Sequence, residues 1–195
     1  MRRAALRRSE LCAVSLLCEQ GLSSIYALSQ LQIPRMKLPV AVEFDSFDGF
    51  CTRTGTARTS LPEVLPEGMT LRFGGKYLIL YREGEHPRRL NFTLAHELGH
   101  VLLGHVGEQM RAEEAEANAF AASLLCPAAA VYYLSHRDGG FPTAEALAAI
   151  FPLSLEAARL RLRDLCKKPK RPPTDEEITL LLQLFGRIAD APQNQ

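Results

Sequence analysis

The sequence HELGH, residues 96–100, places two histidines four residues apart, with a glutamate directly after the first. Leucine and valine side chains around it recur at three- and four-residue spacing, and no proline falls between residues 88 and 126. This pattern predicts an amphipathic helix, with Asn91 or Thr93 as its N-cap. Residues four apart on a helix lie on one face, one turn apart. His96 and His100 are therefore expected on the same side of the helix.

Two imidazole nitrogens on one helical face can bind a single cation at about 2.1 Å, as tetrahedral zinc requires. Glu97 lies about 100° around the axis from His96, which is a poor position for a third ligand. It is a suitable position for a base that contacts a metal-bound water. The H-E-x-x-H pattern is typical of metallopeptidases, with two ligands and a general base on one turn. The alternative is a helix that carries two histidines without a metal.

The motif does not identify the third ligand. His105 follows Gly104 five residues after His100, out of register with the H-x-x-G-x-x-H continuation of a metzincin. On a continuous helix it would lie about 140° around the axis from His100. We expect His105 to lie at the end of the helix and not to bind the metal.

Three glutamates in the next segment are better candidates. Residues 108–127 are rich in alanine and leucine and end at a proline, which predicts a second helix. Its alanines allow a close approach to a neighbouring helix. Glu114 begins a stripe of small and apolar residues, whereas Glu113 and Glu116 fall on the flanking faces. By the residues alone, the alternative is that all three decorate an exposed helix.

The two segments FTLAHELGHVLLGH and EEAEANAFAASLLCP together resemble the ImmA/IrrE family of bacterial and phage-borne metallopeptidases. The similarity extends over residues 77–127 and, more weakly, over residues 143–165. It implies that Glu114 is the third ligand and that Asn118 supports the site one turn later. The family's second motif, E-x-x-A-N-x-F-A-x-x-L-L-x-P, is matched by Glu114, Ala117, Asn118, Phe120, Ala121, Leu124, Leu125 and Pro127.

Composition limits the protein class. A chain of 195 residues that is 47% hydrophobic can form one domain with an appendage. The net charge of +1 disfavours direct nucleic-acid binding. Five scattered cysteines without a C-x-x-C pair favour reduced thiols and a cytoplasmic location. No apolar run reaches the length of about 18 residues expected of a membrane span, so we expect no membrane association.

The order of elements predicts an α+β fold. Residues 5–31 are predicted to form helices broken near Gly21, and residues 47–55 and 69–84 to form strands, with Gly74-Gly75 as a hairpin turn. We expect a zincin-like metallopeptidase domain in which a small antiparallel sheet packs against the active-site helices, followed by additional C-terminal helices. The domain is predicted to span residues 1–165, of which residues 1–40 form a helical N-terminal part.

Residues 166–195 are predicted to be a basic, proline-rich linker and a C-terminal amphipathic helix. Thr174 and Glu177 form a capping box at the start of that helix. Its apolar face either packs back onto the domain or docks on a partner. The residues assigned to that face are Ile178, Leu181, Leu182, Phe185 and Ile188.

These observations predict a hydrolase, a zinc endopeptidase with one Zn²⁺ per chain. Glu97 is assigned as the general base, which takes a proton from the attacking water and passes it to the leaving amine. The ligands are His96, His100 and Glu114, and Asn118 is an outer partner. The donor that stabilises the oxyanion is not identified. Its candidates are Tyr132, Tyr133 and His136, with core packing as the alternative for the tyrosines.

The resemblance implies regulatory proteolysis of one protein partner, typically a helix-turn-helix transcriptional repressor. Two other classes of function remain. The first is a zinc-containing regulator that binds a repressor or antitoxin without cleaving it, although an intact Glu97 and three ligands speak against a purely structural zinc site. The second is a nucleic-acid-binding module that uses the basic residues 167–171, which the near-neutral net charge disfavours.

Overall fold

The computed structural model describes residues 2–73, 75–105, 111–168 and 171–186. Contacts between residues divide the chain into two compact units. The first comprises Met1–Cys12 and Gln32–Ala121, and the second comprises Ala13–Leu31 and Ala122–Gln195. The predicted domain boundary at residue 166 stays a prediction.

The strands of the described residues all lie in the first half of the chain. The strands are β1 (Val42–Ser46), β2 (Gly68–Phe73) and β3 (Lys76–Tyr81). The α-helices of the described residues are α1 (Arg2–Glu19), α2 (Ile25–Ser29), α3 (Phe47–Thr54), α4 (Pro87–Leu103), α5 (Arg111–Leu125), α6 (Ala128–Arg137), α7 (Ala144–Ile150), α8 (Leu155–Lys167) and α9 (Asp175–Phe185). This is the predicted α+β class, and the predicted helices before and after Gly21 are confirmed.

The sheet of the first unit has the strand order β1-β3-β2. Strands β2 and β3 are antiparallel, as predicted, with Leu71 opposite Leu78. Their turn was predicted at Gly74-Gly75, of which Gly74 lies outside the described residues. Strand β1 is parallel to β3, with Phe44 opposite Ile79. The sheet is therefore mixed, and the prediction of a purely antiparallel sheet is wrong because the long connection after β1 permits a parallel crossover.

The predicted strand at residues 47–55 is wrong, because this segment forms α3. The Ser46 hydroxyl accepts a hydrogen bond from the backbone N–H of Gly49 at 2.9 Å and caps the start of the helix. Gly55 ends the helix in the left-handed conformation, with φ of 70°. The N-cap at Ser46 and the glycine at the C-terminal end favour a helix more strongly than the aromatic residues and threonines between them favour a strand.

Helix α4 packs against β2 and β3, and its buried face includes Leu94 and Leu98. It begins earlier than predicted, with His86 as the N-cap and Pro87 in the first turn. Proline suits that position because its missing N–H would have no helical partner. Asn91 is not the N-cap, and its side-chain oxygen instead accepts a hydrogen bond from the backbone of Ile33 at 3.3 Å.

In the second unit, α9 packs against α2 and α6. Its predicted apolar face is partly wrong, because Ile178 and Leu182 are 38% and 49% exposed. The predicted member Ile188 lies outside the described residues. The buried face is rotated toward Glu177, whose carboxylate accepts two hydrogen bonds from Arg171 at 2.7 and 2.8 Å. Because Arg171 neutralises the Glu177 carboxylate, this residue can be buried at the start of α9. The buried residues of α9 are Glu177, Leu180, Leu181 and Leu184.

Within the described residues, no single helix has the length and apolar character to cross a membrane. The bent pair α5 and α6 meets that test by length and composition when both are counted together.

Candidate metal centre

The close approach of α4 and α5 in the first unit builds the centre. Gly99, on α4, faces α5, where a Cβ atom would lie 3.1 Å from a ring carbon of Phe120 and 3.2 Å from the Cα of Ala117. These two residues are fully buried. The small side chains at Gly99 and Ala117 therefore permit the two helices to pack with almost no space between them.

Three donor groups converge at this helix pair: His96 and His100 from α4 and Glu114 from α5. The Nε2 atoms of the two histidines are 3.1 Å apart. Each Nε2 atom lies 3.4 Å from an oxygen of the Glu114 carboxylate. In a tetrahedral zinc site with bonds of about 2.05 Å, neighbouring ligand atoms lie about 3.3 Å apart. The three separations are close to this value, although the two histidines face different oxygens of the Glu114 carboxylate.

The protonation state of His100 also suits a metal ligand. His100 is 2% exposed, and burial, which disfavours the imidazolium, lowers its pKa to about 4. The neutral imidazole is the form that binds a metal. The other nitrogen of His96, Nδ1, lies 3.2 Å from the side-chain oxygen of Asn118. An acceptor there favours a proton on Nδ1 and leaves the lone pair of Nε2 directed toward the other ligands.

His105 is not among the converging donors, as expected. Gly104 ends α4 with φ of 74°, and the backbone N–H of His105 donates to the carbonyl of His100 at 3.0 Å. The imidazole of His105 contacts the Nδ1 side of His100, with 3.0 Å between the two Nδ1 atoms. Its Nε2 lies 3.6 Å from the carboxylate of Glu116.

Glu97 occupies a constrained, nearly buried position beside these groups, with 6% of the residue exposed. The hydroxyl of Thr70, on β2, donates to one carboxylate oxygen at 2.7 Å. Burial raises the pKa of the Glu97 carboxyl, and the hydrogen bond from Thr70 opposes that shift. Gly68 leaves the space that Glu97 fills, because a Cβ there would lie 2.8 Å from Cγ of Glu97 and 2.7 Å from Thr93.

The sequence did not indicate Thr70 or Gly68 as site residues, and it offered Glu116 only as one of three candidate ligands. Thr70 and Gly68 meet Glu97 through the packing of a strand on a helix, which leaves no local periodic signal. Glu116 was predicted on a flanking, solvated face. The contact of Glu116 with His105 depends on the turn at Gly104, because that turn places the imidazole where a continued helix would not.

The three oxyanion candidates, Tyr132, Tyr133 and His136, belong to the second unit. The Tyr132 hydroxyl donates to the backbone carbonyl of Leu165 at 3.1 Å. The Tyr133 ring packs against Phe185, with 4.4 Å between the ring centroids. These contacts agree with a packing role for the tyrosines. A role for any of the three in stabilising an oxyanion stays a prediction.

A helix-borne histidine pair, a carboxylate on the next helix and a small adjacent sheet are features of zincin-like metallopeptidases. The chain belongs to the peptidase M78 family, because the model of that family, described as the IrrE N-terminal-like domain, matches residues 55–163, more than half of its length. This match confirms the resemblance to the ImmA/IrrE family. No curated protein matches the chain.

Proposed function

We propose that the protein is a zinc-dependent endopeptidase that holds one Zn²⁺ per chain through His96, His100 and Glu114. The observation that carries this proposal is the convergence of three ligand atoms that lie within 4.8 Å of one another. A catalytic zinc site uses three protein ligands and keeps one position open, whereas a structural site is closed by four. Glu97 stands beside the ligands as a separate carboxylate.

When bound, zinc supplies Lewis acidity toward water and toward the scissile carbonyl. Glu97 acts as the general base and then delivers the proton to the leaving amine. The hydrogen bond from Thr70 fixes one oxygen of the Glu97 carboxylate. We assign the other oxygen to proton transfer. Asn118 holds His96 by accepting the proton on its Nδ1.

We infer that the substrate binds in extended form along β2. This strand is an edge of the sheet, paired with β3 alone among the described strands. It also carries Thr70, whose hydroxyl donates to the Glu97 carboxylate, and Gly68, where a Cβ would lie 2.8 Å from Cγ of Glu97. An extended peptide can add to such an edge through main-chain hydrogen bonds. Pairing there would place a peptide bond next to the general base.

We propose a regulatory protein in the cytoplasm as the substrate, specifically a helix-turn-helix transcriptional repressor. The support is the membership of the ImmA/IrrE-type family together with the pattern of thiols. No disulfide joins the five cysteines, all of which lie in the described residues. A cytoplasmic enzyme with one regulatory target is consistent with both features.

The test first asks whether a helix-turn-helix protein is encoded next to the gene, and then combines that candidate partner with the purified full chain. The wild type should bind about one zinc per chain and cleave that protein. Glu97→Gln should keep the zinc and still bind the partner, with cleavage slowed by about 10²–10⁴-fold. Glu113→Gln is the matched control, because it removes a neighbouring carboxylate outside the ligand set. An intact partner with zinc-loaded wild type would favour the regulator that binds without cleaving.

A further inference from the structure

The two histidine ligands differ in what holds their outer nitrogens. His96 directs Nδ1 at an amide oxygen, that of Asn118. His100 directs Nδ1 at a second imidazole, that of His105, across 3.0 Å. The two rings are inclined at 70°, with their centroids 5.0 Å apart. The outer partner of His100 is an imidazole, whose Nδ1 can donate or accept depending on its tautomer. The outer partner of His96 is an amide oxygen, which can only accept.

Metal binding at Nε2 of His100 would determine which ring nitrogen carries the proton. Its Nε2 atom faces His96 and Glu114, so binding a cation there requires a lone pair on Nε2. The neutral ring then carries its proton on Nδ1. Two ring nitrogens can share a hydrogen bond only when one donates and the other accepts. His105 must therefore accept at Nδ1, which places its own proton on Nε2.

A carboxylate lies beside Nε2 of His105. Glu116, on α5, has an oxygen 3.6 Å from this nitrogen, a distance of charge attraction slightly longer than a hydrogen bond. The side chains of His105 and Glu116 are 8% and 21% exposed, so solvent screens the contact only partly. An anion beside Nε2 favours the tautomer that carries its proton there. The order of groups is thus carboxylate, imidazole, imidazole and metal site.

Local backbone geometry puts this chain of groups together. On a continued helix, His105 would lie about 140° around the axis from His100. The left-handed residue Gly104 instead folds the chain back over the last turn, where the His105 N–H donates to the carbonyl of His100. Both side chains are thereby held in one buried corner of the first unit.

We propose that His105 and Glu116 are positioning residues that fix the tautomer and the ring orientation of His100 for zinc binding. This proposal rests on the zinc site proposed above. His105 accepts the Nδ1 proton of His100, and the Glu116 carboxylate holds His105 in the tautomer that can accept it. Outer partners of this kind are worth about 10–100-fold in metal affinity.

The experiment measures zinc affinity of the full chain by competition with a chelator, and ring tautomers by long-range ¹H–¹⁵N NMR correlations. His105→Phe removes the acceptor and keeps an aromatic ring, so zinc affinity should fall by about 10–100-fold. His105→Asn supplies an amide oxygen like that of Asn118 and should recover part of this loss. Glu116→Gln should weaken binding less than His105→Phe does, and Glu113→Gln should leave it unchanged.

The NMR spectrum of the zinc-loaded wild type tests the proposal without any substitution. His100 should carry its proton on Nδ1 and His105 on Nε2. The proposal would be overturned by unchanged zinc affinity in His105→Phe. It would also be overturned if His105 in the zinc-loaded protein carried its proton on Nδ1 and not on Nε2. Failure of the zinc site itself is a different result, in which the wild type binds no zinc or His96→Ala binds it fully. If His105→Phe does not fold, Glu116→Gln and the wild-type spectrum decide.

Discussion

Two clusters of buried polar side chains among the described residues differ in how their atoms are paired. In the second unit, Arg161 is 5% exposed and donates to the backbone carbonyl of Cys126 at 2.8 and 3.0 Å and to the hydroxyl of Ser123 at 3.3 Å. Every contact joins a donor to an acceptor. The guanidinium thereby satisfies a carbonyl just beyond the end of α5, which is a structural task.

The metal centre in the first unit is paired in the opposite way. Nε2 of His96, Nε2 of His100 and the Glu114 carboxylate face one another, and all three present lone pairs when each neutral imidazole carries its proton on Nδ1. Such an arrangement is unfavourable in a partly buried site unless a cation joins them. A structural cluster pairs donors with acceptors, whereas a ligand site brings lone pairs together. This difference distinguishes the two clusters more clearly than the burial of their side chains does.

The largest effect should come from removing a ligand. His100→Ala should reduce zinc affinity by more than the roughly 10–100-fold that the loss of an outer partner costs, because two ligands remain from a set of three. Arg161→Met, which alters the closed cluster, should leave zinc affinity unchanged. The measurement is zinc stoichiometry after dialysis against a weak chelator. Full occupancy in His100→Ala would remove the distinction between the two clusters.

A smaller effect is expected from crowding the general base. In Gly68→Ala, the new methyl group would lie 2.8 Å from Cγ of Glu97 and 2.7 Å from Thr93, so one of these groups must shift. A displacement of about 1 Å at a catalytic group costs on the order of 10²-fold in rate. Peptide-bond cleavage should slow accordingly, while zinc affinity stays at the wild-type value.

Gly140→Ala is the control for this substitution, because nothing lies within 4 Å of a Cβ at Gly140. Cleavage by Gly68→Ala at the rate of the Gly140→Ala control would show that the space at Gly68 does not position Glu97. Loss of zinc from Gly68→Ala would indicate a broader disturbance of α4.

Much of the centre could be predicted from the sequence, because its main residues lie on two helices with strong periodicity. The spacing of His96 and His100 sets their common face, and α5 was predicted as the helix that carries Glu114. The turn at Gly104 was also predictable, since glycine is the residue that adopts the left-handed conformation that ends a helix.

The parts that escaped prediction depend on pairing between distant segments or on helix-end signals. Thr70 reaches Glu97 across 27 residues of sequence, and parallel pairing of β1 with β3 follows from a crossover that no local pattern encodes. The α3 segment was predicted as a strand, whereas the cap at Ser46 and the left-handed Gly55 begin and end a helix there. The apolar face of α9 was misplaced because Glu177 was assigned only to the capping box, whereas its burial depends on the ion pair with Arg171.

The closed cluster around Arg161 should affect stability and not metal binding. Arg161→Met leaves the carbonyl of Cys126 without its donor, which costs about 1–3 kcal/mol in the free energy of unfolding. Arg163→Met, on the same helix, is the control, because the Arg163 side chain is 59% exposed. Urea denaturation of the zinc-free forms measures both. Equal midpoints for the two variants would contradict a structural role for Arg161.

The smallest effect is expected at the start of α9, where a third polar cluster is also closed. Thr174 caps the helix, since its hydroxyl accepts from the backbone of Glu177 at 3.4 Å, and the Glu177 carboxylate accepts from the backbone of Thr174 at 2.9 Å. Thr174→Ala removes one bond of this box and should lower the free energy of unfolding by about 1 kcal/mol. Arg171 still pairs with Glu177, so the buried carboxylate keeps a partner and the loss stays small.

Thr179→Ala, within the same helix, is the control. It should leave stability unchanged or slightly raised, because alanine has the higher helix propensity. A zinc affinity altered by Thr174→Ala would mean that a closed cluster also influences the metal centre, and the separation between the two kinds of cluster would then fail.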